Sequence, residues 1–113
     1  MVKSYIPQRG DIIMMDFNPT KGHEQRGYRP AIVLSHSVFN QYTNMIIVCP
    51  ISSNTKDFPT HYILQDSKKV SGAVLLEHVR SIDYDSRKIK FREKVSDIDL
   101  ISILTLFDTC IND

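Results

Sequence analysis

The sequence predicts a mainly β domain, a β-rich α+β chain in which a coiled antiparallel sheet or small barrel carries short helical turns and one C-terminal helix. Three observations point there. Apolar runs of four to eight residues, rich in β-branched side chains and closed by turn formers, recur along most of the chain. No long helical pattern separates them, which disfavours a parallel βαβ design. The one strong helical period is confined to the tail after Ser96.

Taken in order, the run 11–17 (DIIMMDF) is almost continuously apolar between Gly10 and Asn18-Pro19, as expected of a strand covered on both faces. The runs 31–35 (AIVLS) and 45–51 (MIIVCPI) read the same way, and 37–44 (SVFNQYTN) suits a short helical turn between them. Strands are expected at 61–64 (HYIL), 73–79 (AVLLEHV) and 88–95 (KIKFREKV), making about six. The last alternates Ile89 and Phe91 with outward Lys88, Lys90 and Arg92. Ser96 is placed to cap the tail helix, with Asp97 and Asp99 at the positive end of its dipole. Its apolar surface (Ile98, Leu100, Ile101, Ile103, Leu104, Phe107, Cys110) is wider than one sheet face needs, so a dimer contact and a fully buried helix stand as equal accounts.

At 113 residues the chain is expected to form a single domain, 1–113. An apolar share of 42% and a charged share of 24% set aside disorder and disulfide scaffolds. Cys49 and Cys110 each read as small buried hydrophobes. No apolar run approaches the roughly 18 residues of a membrane span, and the opening residues lack a secretory h-region, so a cytoplasmic protein with no membrane partner is expected. The net charge of +1 gives no whole-molecule attraction to nucleic acid, so any such binding must come from local basic residues. His23, His36, His61 and His78 show no ligand spacing, and no metal or cofactor motif is present.

The segment 18–30 (NPTKGHEQRGYRP) is the richest in chemistry, holding Lys21, His23, Glu24, Gln25, Arg26, Tyr28 and Arg29 in a loop long enough to be functional. Pro30 pushes Arg29 out of the helical region and into extended backbone. A guanidinium fork held at a strand mouth suits a phosphate, although one such arginine alone reads more simply as an exposed loop end. Ser52, Ser53, Asn54, Thr55 and Lys56 form a polar loop after the third run, where hydroxyls can donate to phosphate but Ser-Ser-Asn is also ordinary turn material. Glu77, His78 and Arg80 interrupt the fifth run, and His78 by itself reads as a core histidine satisfied by the backbone.

The segment 5–35 closely resembles the N-terminal part of MazF/PemK-type toxins, through Gly10, Asp11, Asp16, Phe17, Pro19, Gly22, Glu24, Gln25, Gly27, Arg29, Pro30, Val33, Leu34 and Ser35 in one order. The likeness continues at Val48, Pro50 and Ser52 and at Val79, Arg80, Ser81 and Ile82, and weakens after residue 84. It implies an SH3-like barrel of the CcdB/PemK type that dimerises around a groove for single-stranded RNA or for the tail of a MazE-like antitoxin. It also implies catalytic roles for Arg29 and Ser52 and a loop containing Glu24 and Gln25 at the border of the RNA site; Glu24 is expected to join catalysis, and Lys21, His23, Gln25, Tyr28, Ser53, Asn54, Lys56, His78 and Arg80 are expected to contact RNA. Ser52 stands where many relatives have threonine, and His78 where they often have glutamine.

The implied activity is sequence-specific, ribosome-independent cleavage of messenger RNA without metal or other cofactor, leaving a 2′,3′-cyclic phosphate and a 5′-hydroxyl. Arg29 suits charge stabilisation better than proton transfer, and Glu24 or His23 is the candidate base. Tyr28, Phe39 and Phe58 offer stacking surfaces, with packing the simpler role for Phe39. The rival from another class is a CcdB-like gyrase poison on the same barrel, acting by protein binding without RNA cleavage. A barrel-shaped interaction module is the third alternative.

Overall fold

The computed structural model describes residues 5–17 and 27–112. Among these described residues are seven strands, β1 (Asp11–Asp16), β2 (Tyr28–Val33), β3 (Met45–Ser52), β4 (His61–Ile63), β5 (Ala73–Leu75), β6 (Arg80–Asp83) and β7 (Lys90–Lys94). Two helices, α1 (Ser37–Thr43) and α2 (Asp97–Ile111), complete it, with 3-10 turns at Leu76–His78 and Tyr84–Ser86. The sheet is antiparallel throughout, in the order β4-β5-β3-β2-β1-β7, and β6 also pairs with β3. β3 is the hub: one edge takes β2, while the other takes β6 over Met45–Val48 and β5 over Ile51–Ser52.

The continuous apolar runs are explained by burial on both faces of the sheet. Ile12, Ile32, Cys49, Ile51 and Val74 point to the side that α2 covers, where Ile103 is fully buried. Ile13, Met15, Phe17, Ala31, Val33, Ile46 and Val48 point to the other side, closed by Ile82 and Tyr84. Trimming Ile103 to alanine would remove the central contact of α2, at a cost of about 2–5 kcal/mol.

Polar ties hold the periphery. Ser96 Oγ caps α2 by accepting from the Asp99 amide at 3.1 Å. Asp99, fully buried, takes the Tyr62 hydroxyl at 2.5 Å and the amides of Gln65 and Asp66, which bolts the segment after β4 onto the start of α2. Buried Asp11 accepts from Tyr5 Oη at 2.6 Å and pairs with Lys94 Nζ at 2.5 Å, joining the chain before β1 to β7. Glu93 accepts from the amides of Lys68, Lys69 and Val70 and fixes the turn before β5.

Several expectations need correction. The run 73–79 is not one strand: it stops at Leu75, turns through Leu76–His78, and a seventh strand follows at Arg80–Asp83. Buried Leu76 carries the apolar run one residue into that turn, so periodicity did not mark where the strand ends. β2 begins at Tyr28, which makes Arg29 a strand residue paired with Met15. Phe39 is 40% exposed and borders an open cleft of about 360 Å³ with Leu104 and Phe107 instead of packing in the core. Phe91 is also half-exposed, its ring edge-on to Tyr5. α2 is not buried all round, since Ile98, Ile101 and Ile111 are exposed. Cys110 is exposed on its last turn, whereas Cys49 is buried as expected.

Candidate active site

The sheet register bears on the placement of two of the proposed site residues. β2 and β3 pair as Ala31↔Pro50, Ile32↔Cys49 and Val33↔Val48. Extended by two residues past the last bonded pair, that register sets Arg29 opposite Ser52. Strand alternation gives both the same face as Ala31 and Val48, so the guanidinium and the hydroxyl leave the sheet on the side away from α2. Arg29 is exposed and Ser52 half-buried.

Arg80 belongs to the same face, because it pairs with Val48 across β3–β6. Its guanidinium carbon lies 5.8 Å from the Phe17 ring centroid, within cation–π range. Among the described residues, Arg80 Nη1 is buried and has no hydrogen-bond partner. A buried donor lacking an acceptor is costly, and here it adds positive charge to the face that carries Arg29. Phe17, in turn, is tied to the start of β2 by its amide, which donates to the Gly27 carbonyl at 2.9 Å.

Ser52 is oriented by local bonds. Its Oγ accepts from the Asn54 amide at 3.1 Å, and Asn54 Oδ1 accepts from the Lys56 amide at 3.1 Å, two consecutive side-chain turns. With that lone pair engaged, the hydroxyl hydrogen is left to point at an incoming acceptor. Ser53, Asn54 and Lys56 line the exposed loop that follows. Tyr28 is 51% exposed and donates through its hydroxyl to the Lys88 carbonyl at 3.3 Å, so the turn before β7 flanks the Arg29 end.

His78 is not a backbone-satisfied core residue. It is half-buried at the end of the 3-10 turn, with Nε2 3.9 Å from Glu77 Oε2. The same carboxylate meets His61 Nε2 at 2.7 Å and takes the Thr60 hydroxyl at 2.7 Å. Burial alone would raise the Glu77 pKa, but the hydrogen bonds from Thr60 and His61, a backbone amide and the His61 charge together hold it below its ordinary value. Sequence reasoning missed this cluster. His61 and Glu77 meet only through the β4–β5 register, His61↔Leu75, which no local pattern reveals.

Lys21, His23, Glu24 and Gln25 lie outside the described residues. Among the described residues, no group of three or more His, Cys, Asp or Glu side chains could hold a metal ion. No helix among them is long and apolar enough to cross a membrane.

With this geometry in view, the comparisons are specific. A family model described as a PemK-like, MazF-like toxin of type II toxin-antitoxin systems matches residues 8–109. The endoribonuclease toxin MazF of Escherichia coli strain K12 is 40% identical over 87 residues, covering 77% of this chain and 78% of that protein. The crystal structure of MazF from Deinococcus radiodurans superposes with a TM-score of 0.89 at 33% identity, covering 96% of this chain and 98% of that one. The toxin in a MazE–MazF complex from the same organism superposes with a TM-score of 0.83 at 28% identity, over the same shares of the two chains. The chain therefore belongs to the PemK-like, MazF-like toxins of type II toxin-antitoxin systems.

Proposed function

We propose that this toxin is an endoribonuclease that cuts single-stranded messenger RNA in the cytoplasm and is neutralised by a cognate antitoxin of the MazE kind. Likeness to the endoribonuclease MazF and to a toxin seen in complex with MazE supports both halves of the reading. The observation that supports the chemistry is the β2–β3 register, whose last bonded pair is Ala31↔Pro50 and whose extension by two residues sets Arg29 opposite Ser52.

In the proposed reaction the ribose 2′-oxygen attacks the adjacent phosphorus. A 2′-O–P bond forms and the P–O5′ bond breaks, so the products are a 2′,3′-cyclic phosphate and a 5′-hydroxyl. Arg29 offers two parallel donors to the phosphoryl oxygens as negative charge develops, and Ser52 donates to the same group. The proton of the 2′-hydroxyl goes to a base, for which Glu24 and His23 are the candidates, and the departing 5′-oxygen takes up a proton. The chemistry calls on no metal ion. Ser53, Asn54, Lys56 and Arg80 hold flanking phosphates or bases, with Tyr28 and Phe58 available for stacking. The exposed Ile98, Ile101 and Ile111 of α2 are the surface on which we expect a second copy to pack, giving a homodimer.

The test is incubation of the purified chain with a defined RNA, without ribosomes and with a chelator present. Fragments ending in cyclic phosphate are expected, and Arg29→Ala should lower the single-turnover rate by about 10²–10³-fold, as loss of one charge-stabilising donor does. Intact RNA would end the nuclease reading; trapping of gyrase by the same preparation would revive the poison alternative, which draws no support from the family match.

A further inference from the structure

A chain of hydrogen bonds leads from the Ser52 hydroxyl to the carboxylate beyond β5. Ser52 Oγ takes the Asn54 amide, Asn54 Oδ1 takes the Lys56 amide, and the Lys56 carbonyl lies 3.3 Å from Nδ1 of His61. The other ring nitrogen, Nε2, lies 2.7 Å from Glu77 Oε2. Both atoms that face the ring are acceptors. A neutral imidazole has one N–H and satisfies only one of them, whereas the imidazolium has two and satisfies both. The pair is largely shielded on the histidine side, where the His61 side chain is 15% exposed and the Phe58 ring lies tilted against it at 5.1 Å between centroids.

The charged groups around this ring are few. Glu77 supplies the compensating charge, and His78 stands 3.9 Å from the same oxygen. Lys56 contributes its carbonyl, and Asp57 is exposed in the same loop. On the far side of β4, Tyr62 is engaged with Asp99 of α2.

Resting on the reading of Ser52 as a phosphate donor, we propose that His61, held by Glu77, is a positioning residue. It pins the Lys56 carbonyl and thereby the two turns that aim the Ser52 hydroxyl. Loss of the ring releases the loop and slows cleavage while every group that touches RNA is still present.

The experiment measures single-turnover cleavage of a defined RNA at neutral pH. It compares the wild-type chain with His61→Ala and Glu77→Gln. Affinity for a 2′-O-methyl oligonucleotide and amide exchange at Asn54 and Lys56 are read in parallel. His61→Ala should lose protection at the Lys56 end of the loop and cleave about tenfold to a hundredfold more slowly, with affinity changed less than about threefold. Glu77→Gln should lose part of the same protection and rate, because the ring has lost its charged partner at Nε2. It also carries the test if His61→Ala does not fold. Wild-type rates in His61→Ala, or lost protection with an unchanged rate, would overturn the proposal. A wild-type chain that cuts no RNA would overturn the nuclease reading instead, and unchanged amide protection in both variants would then overturn the latch separately.

Discussion

Gly72 shows how closely the residues around Ser52 are fitted. Its φ of +136° is a conformation that side-chain-bearing residues rarely adopt, and a Cβ there would stand 2.2 Å from the Ser52 carbonyl oxygen. Gly27 has φ +88°, and among the described residues no atom stands within 4 Å of a Cβ built there. Gly27→Ala is expected to cost the backbone term of about 1–2 kcal/mol, whereas Gly72→Ala must also displace the end of β3 and should cost more. Urea unfolding of the two variants checks this, and equal costs would show that the contact with Ser52 is immaterial. Cleavage should fall further in Gly72→Ala, since the displaced residue is Ser52 itself. Some of this detail was legible in the sequence: Pro30 dictates extended backbone at Arg29, and β2 indeed includes it. The His61–Glu77 contact was not, because it joins residues 16 positions apart through a strand pairing that residue types do not specify.

Caps and staples decide how elements hold together. Glu93 gathers three amides of the 68–70 turn, and although burial works against its charge, those bonds and Lys69 hold its pKa below the ordinary value. A carboxylate whose folded pKa is depressed contributes stability above its unfolded pKa, near 4.3, and that contribution disappears as pH falls through the folded value. The urea midpoint of Glu93→Gln should thus lie below wild type at neutral pH, with the gap closing in acid below about pH 4. A gap independent of pH would mean that the charge of Glu93 is irrelevant to the turn. The start of α2 was readable from Ser96, a standard cap followed by acidic residues. The deeper role of Asp99 was hidden, because an acidic residue in a first helical turn looks like a dipole partner whether it is exposed or, as here, a fully buried acceptor for the segment after β4. The break between β5 and β6 escaped for a related reason: alternation reports which side chains are buried, and the 3-10 turn buries Leu76 without continuing the strand.

For the whole molecule, a net charge of +1 conceals a segregated one. Residues 87–94 hold Arg87, Lys88, Lys90, Arg92 and Lys94, and no lysine or arginine follows Lys94. Affinity for an uncleavable single-stranded RNA should therefore fall steeply with salt despite the near-neutral total. Arg29→Ala should flatten the log–log slope by about 0.7, the share of one phosphate contact. An unchanged slope would remove Arg29 from the phosphate-binding set. The overall architecture was the most legible level, since sheet type and the terminal helix follow from where apolar side chains recur; the seventh strand and the strand order do not. The two cysteine thiols differ in a practical way. Cys49 is buried, its thiol pushed up to about 12 by burial and by the nearby charges of Cys110 and Glu77, while Cys110 faces solvent. A maleimide should accordingly add once to the native chain and a second time only in urea, as intact mass spectrometry would count. The last turn of α2 is in effect a ready-made attachment point, where a single dye can report on whatever settles over that helix without any change to the sequence.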